Sequence, residues 1–235
     1  MMKNNKGSHV SMIISFVVFV TFVVFLFFIL QPALNIDNEK EALLDSIEIN
    51  LLDYVISEIN TVSIDISTGS SCVQFNGLDD ASGVINADDS LIVKDASGNI
   101  LDYELTSTGD LKIDNTEGNT FFKIYESNAI DQQETSLGSC TTSVYELGLV
   151  RTEEKIFEKN ILGVVNDYQA SYDQIRQNIG LTNGDFGFDF IYENGTIVSR
   201  GESSQTTGVY TKQSSFNYLD INLNNRQGSM VIKTW

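Results

Sequence analysis

Val10–Leu30 reads VSMIISFVVFVTFVVFLFFIL, an apolar run broken only by Ser11, Ser15 and Thr21. At 1.5 Å rise per residue it spans about 31 Å as a helix, matching a hydrocarbon core of about 30 Å. Helices buried in a soluble core are seldom apolar on every face for that length. The run therefore predicts a transmembrane helix over 10–31. A secretory signal peptide has a shorter apolar region ending at a small-x-small cleavage site. Here the run leads into Leu30-Gln31-Pro32-Ala33-Leu34, so an uncleaved anchor is the better reading. Phe16, Phe19, Phe22, Phe25 and Phe28 recur every third residue. Three residues advance a helix by about 300°, so this row winds around the axis and points to lipid contact and bulk packing rather than one recognition face.

The flanks set the orientation. Lys3 and Lys6 precede the span without an acid, whereas Asp37, Glu39 and Glu41 follow it with only Lys40 between them. The positive-inside rule places the N-terminus, residues 1–9, in the cytoplasm and the bulk of the chain outside, as a single-pass protein of the cell membrane. The whole sequence carries 14 Lys+Arg against 32 Asp+Glu, a net charge of −18. Both bases before the span lie inside, so residues 31–235 carry a net −20. Such a balance opposes nucleic acid as a partner, since phosphate neutralisation needs clustered Lys and Arg. It equally opposes a polybasic grip on anionic lipid. The single histidine, His9, precedes the span, which leaves no His-based triad or multi-His metal centre outside.

Downstream, Leu44, Ile47, Leu51, Val55 and Ile59 step by three or four residues, with Asp45, Glu48, Asp53 and Glu58 between them. That stripe predicts an amphipathic helical stalk over 32–60, with Pro32 as a bend where the helix leaves the bilayer. From Thr61 the pattern changes. Val62, Ile64 and Ile66 alternate with Ser63, Asp65 and Ser67, the signature of a half-buried strand. Leu91–Val93 and Ile100–Leu105 flank a Gly/Asn turn and read as a hairpin. Leu111–Ile113 and Phe121–Tyr125 flank another turn, and Val144–Val150 is a further strand. Thr152 reads as an N-cap with Glu153 and Glu154 in the first turn. Phe157, Ile161, Val164, Tyr168, Tyr172, Ile175 and Ile179 follow at helical spacing, predicting a helix over 152–180 closed by Gly180. Phe186, Phe188 and Phe190 then alternate before Asn194-Gly195, a strong hairpin signal. Leu219–Leu223 and Met230–Trp235 flank a turn placed at Asn224–Gly228. The expected fold is a membrane-anchored α+β chain, with a β-rich antiparallel sheet or sandwich over 61–235 and one packed helix.

Chemistry-bearing residues are few. Cys72 and Cys140 both fall on the outer side, where oxidising conditions favour a disulfide; two buried free thiols are the alternative. Asp79-Asp80, Asp88-Asp89 and Asp95 form an acidic loop region whose oxygens suit Ca²⁺, without the D-x-[DN]-x-[DN]-G spacing. No other cofactor is indicated. Asn194-Gly195-Thr196 is a glycosylation sequon at the same residues as the hairpin turn. No nucleophile elbow, Walker-A loop or dinucleotide fingerprint is present, and no catalytic residue can be named.

Lys6-Gly7, the polar link Ser8-His9, the apolar helix Val10–Leu30 and its amphipathic continuation to Ile59 together resemble a type IV pilin or pilin-like protein, particularly the archaeal kind. The resemblance covers the first quarter of the chain. It implies cleavage between Gly7 and Ser8 by a prepilin peptidase, a helix that packs in a filament core, and a β-rich head outside. The family's common glutamate at the fifth position after the cut is Met12 here. The expected function is non-enzymatic: a cell-surface structural subunit assembling through its N-terminal helix with copies of itself or other pilin-like subunits. The alternative is an anchored binding module whose acidic head contacts a surface layer, polymer or partner protein. An anchored hydrolase would need a deep cleft holding a carboxylate of raised pKa.

Overall fold

Helix α1 (Gly7–Val55) runs unbroken through Pro32 and passes straight into strand β1 (Ile56–Ile66). The computed structural model describes residues 7–67, 69–85, 90–106, 108–131, 134–181, 184–201 and 208–235; for 7–10 and 30–38 it describes the backbone. After β1 come β2 (Cys72–Phe75), α2 (Leu78–Ser82), β3 (Leu91–Asp95), β4 (Ile100–Leu101), β5 (Tyr103–Leu105), β6 (Leu111–Asp114), β7 (Phe121–Glu126) and β8 (Thr141–Thr142). The chain continues with β9 (Tyr145–Phe157), α3 (Glu158–Ala170), α4 (Tyr172–Asn178), β10 (Phe186–Ile191), β11 (Ile197–Arg200), β12 (Tyr210–Leu219) and β13 (Asn225–Thr234).

The strands form a large mixed sheet in the order β11-β10-β13-β12-β9-β1-β7-β3-β4 and a small one in the order β5-β6-β2-β8. The large sheet is two antiparallel halves joined by a short parallel seam, Tyr218↔Ile156 and Leu219↔Phe157. One half, β10 to β13, packs against α1, α3 and α4 around Leu51, Ile161, Phe186, Phe188 and Phe190. The other half covers the small sheet, with Val62, Ile64 and Ile66 facing Val73, Phe75, Leu111 and Ile113. A third cluster, Ile59, Ile92, Ala129, Ile130 and Phe157, lies apart from both.

Four readings of the sequence are corrected. Ile59 is not the last step of the helical stripe: α1 ends at Val55, and Ile59 belongs to β1, where cross-strand pairing with β9 from Ile56↔Ile156 onward replaces the helix. The helix expected over 152–180 begins only at Glu158. Thr152, Glu153 and Glu154 are strand residues opposite Asn60, Ile59 and Glu58, so tertiary pairing overrides the helical preference of Glu. The helical segment is also broken at Ser171 into α3 and α4. Ile100–Leu105 is divided between sheets: β4 pairs with β3, whereas β5 pairs with β6. Finally, the turn before the last strand lies at Asp220–Asn224, because Asn225–Gly228 already pair with β12.

The β1–β9 ladder carries an irregularity between Val62 and Ile64. Leu149 N–H donates to Ser63 Oγ at 2.6 Å, and a Cβ on Gly148 would meet that same oxygen at 2.6 Å. Glycine is therefore what lets the strand close over the buried serine.

Candidate functional site

The first half of α1 is uncovered along its described side chains. Ser11–Ile29 has a mean hydropathy of 3.1 and none of its residues is buried, which makes it a helix long and apolar enough to cross a membrane. The five phenylalanines at three-residue spacing are all exposed, between 56% and 67%, so no single face of the helix is covered. Thr21, one of the few polar residues of the run, donates its hydroxyl to Val17 O at 2.8 Å and so satisfies itself within the helix.

The second half is the opposite. Leu44, Ile47, Leu51 and Val55 are buried in the core of the helix-bearing half of the head. Burying each such side chain is worth about 1.5–3 kcal/mol. Polar contacts fix the register around that stripe. Asn50 Nδ2 donates to Ile179 O at 2.8 Å, and Asn178 Nδ2 donates to Tyr54 OH at 3.0 Å. No glycine terminates α1; instead Asn160 Nδ2 donates to Val55 O at 3.2 Å and to Ser57 Oγ at 2.8 Å, satisfying a terminal carbonyl from outside the helix. Lys212 of β12 donates to Asp45 and pairs with Glu48 at 2.6 Å. The hydrogen bonds that Lys212 donates to those two carboxylates, Asp45 first, raise its pKa above the ordinary lysine value. Lys40 lies over the Tyr210 ring, 5.6 Å from its centroid. On the back of the same stretch Ile49 is 67% exposed and Tyr54 40% exposed.

Gly7 and Ser8 form the start of α1, with helical backbone. Cys72 and Cys140 form a disulfide with a Cα–Cα distance of 4.8 Å, tying β2 to the segment leading into β8. Asn194 is exposed in the β10–β11 turn, where its Oδ1 accepts from Thr196 N–H at 2.9 Å and Gly195 takes a positive φ of 80°.

The acidic loop residues do not converge. Asp79 and Asp80 open α2, while Asp95 is buried at the β3–β4 turn and accepts from Asn99. Asp88 and Asp89 lie outside the described residues. Among the described residues no group of three or more His, Cys, Asp or Glu side chains is placed to hold a metal ion.

Asp95, Glu104 and Asp220 are each held below the ordinary carboxylate range. Burial pushes Asp95 up, but the hydrogen bonds from Asn99, Ser97 and Gly98 outweigh it. Glu104 is lowered by the hydrogen bond from Lys112 and by the Leu137 N–H. Burial likewise raises Asp220, and donors from Asn224, Arg226 and Asn222 overcome it.

Sequence reasoning found the α1 stripe through its spacing but not Lys212, Asn160 or Asn50. Each is a lone polar residue whose role depends on a partner far along the chain, and local spacing carries no signal for it. Comparison with family models, with curated proteins and with solved structures returns no match for this chain.

Proposed function

We propose that the protein is a membrane-anchored structural subunit of the cell surface, pilin-like in plan, which assembles with copies of itself through α1. The observation that carries this reading is the division of one continuous helix. Leu44–Val55 form the spine of the head, whereas Ser11–Ile29 emerges from it with every face apolar and none covered. Because no loop separates the two halves, force or packing applied to the apolar part acts directly on the head core. A simple tether would not need its anchor built into the hydrophobic core it carries. Lys3 and Lys6 favour a cytoplasmic N-terminus, with the acidic head outside.

The mass of the N-terminal peptide, from protein isolated out of its native membrane, tests the reading. A chain beginning at Ser8 is expected, showing peptidase cleavage after Gly7 and release of the helix for assembly. A chain beginning at Met1 or Met2 would overturn the pilin-like reading and leave an anchored binding head.

A further inference from the structure

Of the 21 asparagines in the chain, Asn194 alone is followed two places on by Ser or Thr, in Asn194-Gly195-Thr196. The triplet sits in the hairpin between β10 and β11, where residues 193–197 are all exposed. Gly195 N–H donates to Tyr192 O and Tyr192 N–H donates to Thr196 O, both at 2.9 Å, which closes the loop on its two strands. Gly195 takes the left-handed φ of 80°. Asn194 does not, since Leu223 is the one non-glycine residue with positive φ among the described residues. The loop is therefore a turn over Glu193 and Asn194 followed by a left-handed glycine, not the two-residue type I′ turn that asks for Asn-Gly. The backbone explains Gly195 and leaves the choice of Asn194 unexplained.

The side chain is also unusual among the asparagines. Asn50, Asn60, Asn99, Asn115, Asn160 and Asn224 each donate Nδ2 to a partner within the chain. Asn194 uses only Oδ1, which accepts from Thr196 N–H at 2.9 Å. An aspartate would hold that loop equally well. With Oδ1 turned to the backbone, the other end of the planar carboxamide faces outward. Among the described residues neither Asn194 Nδ2 nor the Thr196 hydroxyl has a hydrogen-bond partner. These two unused groups, an amide nitrogen and a hydroxyl two residues on, are what a transferase that glycosylates asparagine reads. The adjoining Glu193 carboxylate is paired with Arg226 at 3.1 Å.

The hairpin tip is clear of the apolar run. Lys40 lies over Tyr210, which pairs with Thr234, which in turn pairs with Phe186 at the start of β10. The other end of β10 leads to Tyr192, whose ring meets that of Tyr218. Tyr218 pairs with Ile156, opposite Ile56, where α1 has just ended. From Lys40 to Val55 the helix rises about 22 Å, so the tip stands about that much farther from the apolar run than Tyr210 does. A bilayer around Ser11–Ile29 therefore leaves it free. The rival chemistry of an Asn-Gly pair is internal: the Gly195 nitrogen attacks the Asn194 carboxamide, forming a succinimide and releasing ammonia. Here that N–H is donated to Tyr192 O, which holds the nitrogen out of the attack.

We propose that Asn194 is an N-glycosylation site of the head, carrying a sugar on Nδ2. The site rests on the reading of the head as extracytoplasmic, because it needs a lipid-linked sugar phosphate or diphosphate and its transferase on the outer side of the membrane. In the transfer Nδ2 attacks C1 of the sugar. The Nδ2–C1 bond forms as the bond from C1 to the phosphate oxygen breaks. The electron pair leaves on the lipid phosphate, and one amide proton passes to a base of the transferase. The product keeps Oδ1 as an acceptor, and with it the hydrogen bond that Thr196 N–H gives the loop.

Mass spectrometry of the full chain isolated from its native membrane tests the proposal. Trypsin releases 177–200 as one peptide, since no Lys or Arg lies between Arg176 and Arg200. Fragmentation is expected to place a sugar on Asn194. Asn194→Asp keeps the acceptor of the turn and Thr196→Ala keeps the amide, yet each should lose the sugar completely when expressed in the native host. Thr196→Ser, which retains a hydroxyl, should keep it on a fraction of the molecules. The unfolding transition read by Trp235 should persist in all three variants, which separates loss of the sugar from loss of the fold. Unmodified Asn194 in the native peptide would overturn the site. Aspartate or isoaspartate at position 194 without sugar would overturn it in favour of succinimide chemistry. A sugar that persists in N194D would overturn it too, because it must then lie on another residue. Sugar on Asn194 of a chain beginning at Met1 or Met2 would keep the site and remove the pilin-like reading, whereas bare Asn194 on a chain beginning at Ser8 would remove the site alone.

Discussion

The two halves of α1 share one backbone and opposite fates. Ser11–Ile29 is apolar on every face and none of it is buried among the described residues, while Leu44–Val55 is apolar on one stripe and supplies the centre of a core. Total apolarity did not decide which half is buried; pattern did. A stripe bordered by Asp45, Glu48 and Asp53 can turn only one way toward its own head and leaves a polar back. A helix without a polar side has no such instruction, and its natural surroundings are lipid or copies of itself.

The sharpest way to break this contrast is to remove one large side chain from each half. Leu51 is fully buried, and Leu51→Ala is expected to cost the head about 2–5 kcal/mol. Phe22→Ala, in the exposed half, should leave head stability within about 0.5 kcal/mol of the parent. Urea unfolding of the full chain in detergent reads both. The single tryptophan, Trp235, exchanges backbone hydrogen bonds with Asp185 in the helix-bearing half of the head and reports its melting. Equal losses at the two positions would mean that the apolar half also packs on the head.

A second contrast separates the head's own two halves. The helix-bearing half is held by apolar packing on α1, whereas the small sheet, whose β8 is only two residues long, is tied by Cys72–Cys140. The bond spans a sequence separation of 68, and removing it with Cys72→Ser is expected to cost about 2–4 kcal/mol. The loss should be local. Amide exchange at Ser143, which donates to Gln74 O, should accelerate while amides of α3 keep their protection. Uniform acceleration would show the halves to be one cooperative unit despite the two-pair parallel seam between them.

What the sequence made legible follows the same division. Where burial is decided by local periodicity, the reading came through: the apolar run, the stripe from Leu44 to Val55, the Phe186–Phe190 alternation and the Asn194-Gly195 turn. Ile161, Val164, Ile175 and Ile179 also fall on one core, as their spacing implied. Where structure is decided by a distant strand, local signals misled. Thr152-Glu153-Glu154 carries every mark of a helix start, yet pairing with Glu58–Asn60 extends it into β9. Ile59 continues a helical stripe and ends up in the strand on the other side of that pairing. The polar residues that fix the buried half of α1 were hidden for the same reason. Asn50, Asn160 and Lys212 are far in sequence from their partners, and only the folded head brings them together.

The smallest expected effect bears on where the buried half of α1 begins. Lys212 reaches from β12 to Asp45 and Glu48 at the end of the stripe nearer the apolar run, within about one turn of Leu44. All three groups are at least partly exposed, so Lys212→Gln should cost at most about 1 kcal/mol, and less in high salt. The sign of its pH dependence follows from the raised folded pKa: the contribution is fully present below the ordinary lysine value of 10.5 and is lost as pH rises through the higher folded value. The parent should therefore lose this increment only in strong alkali, and the variant should lose none there. Amide exchange in the variant should rise at residues 41–47 and stay low at Leu51–Val55, where Asn160 and the core hold the helix end. Fraying that reached Val55 would mean that the ionic clamp, rather than the apolar stripe, joins the apolar half of α1 to the head.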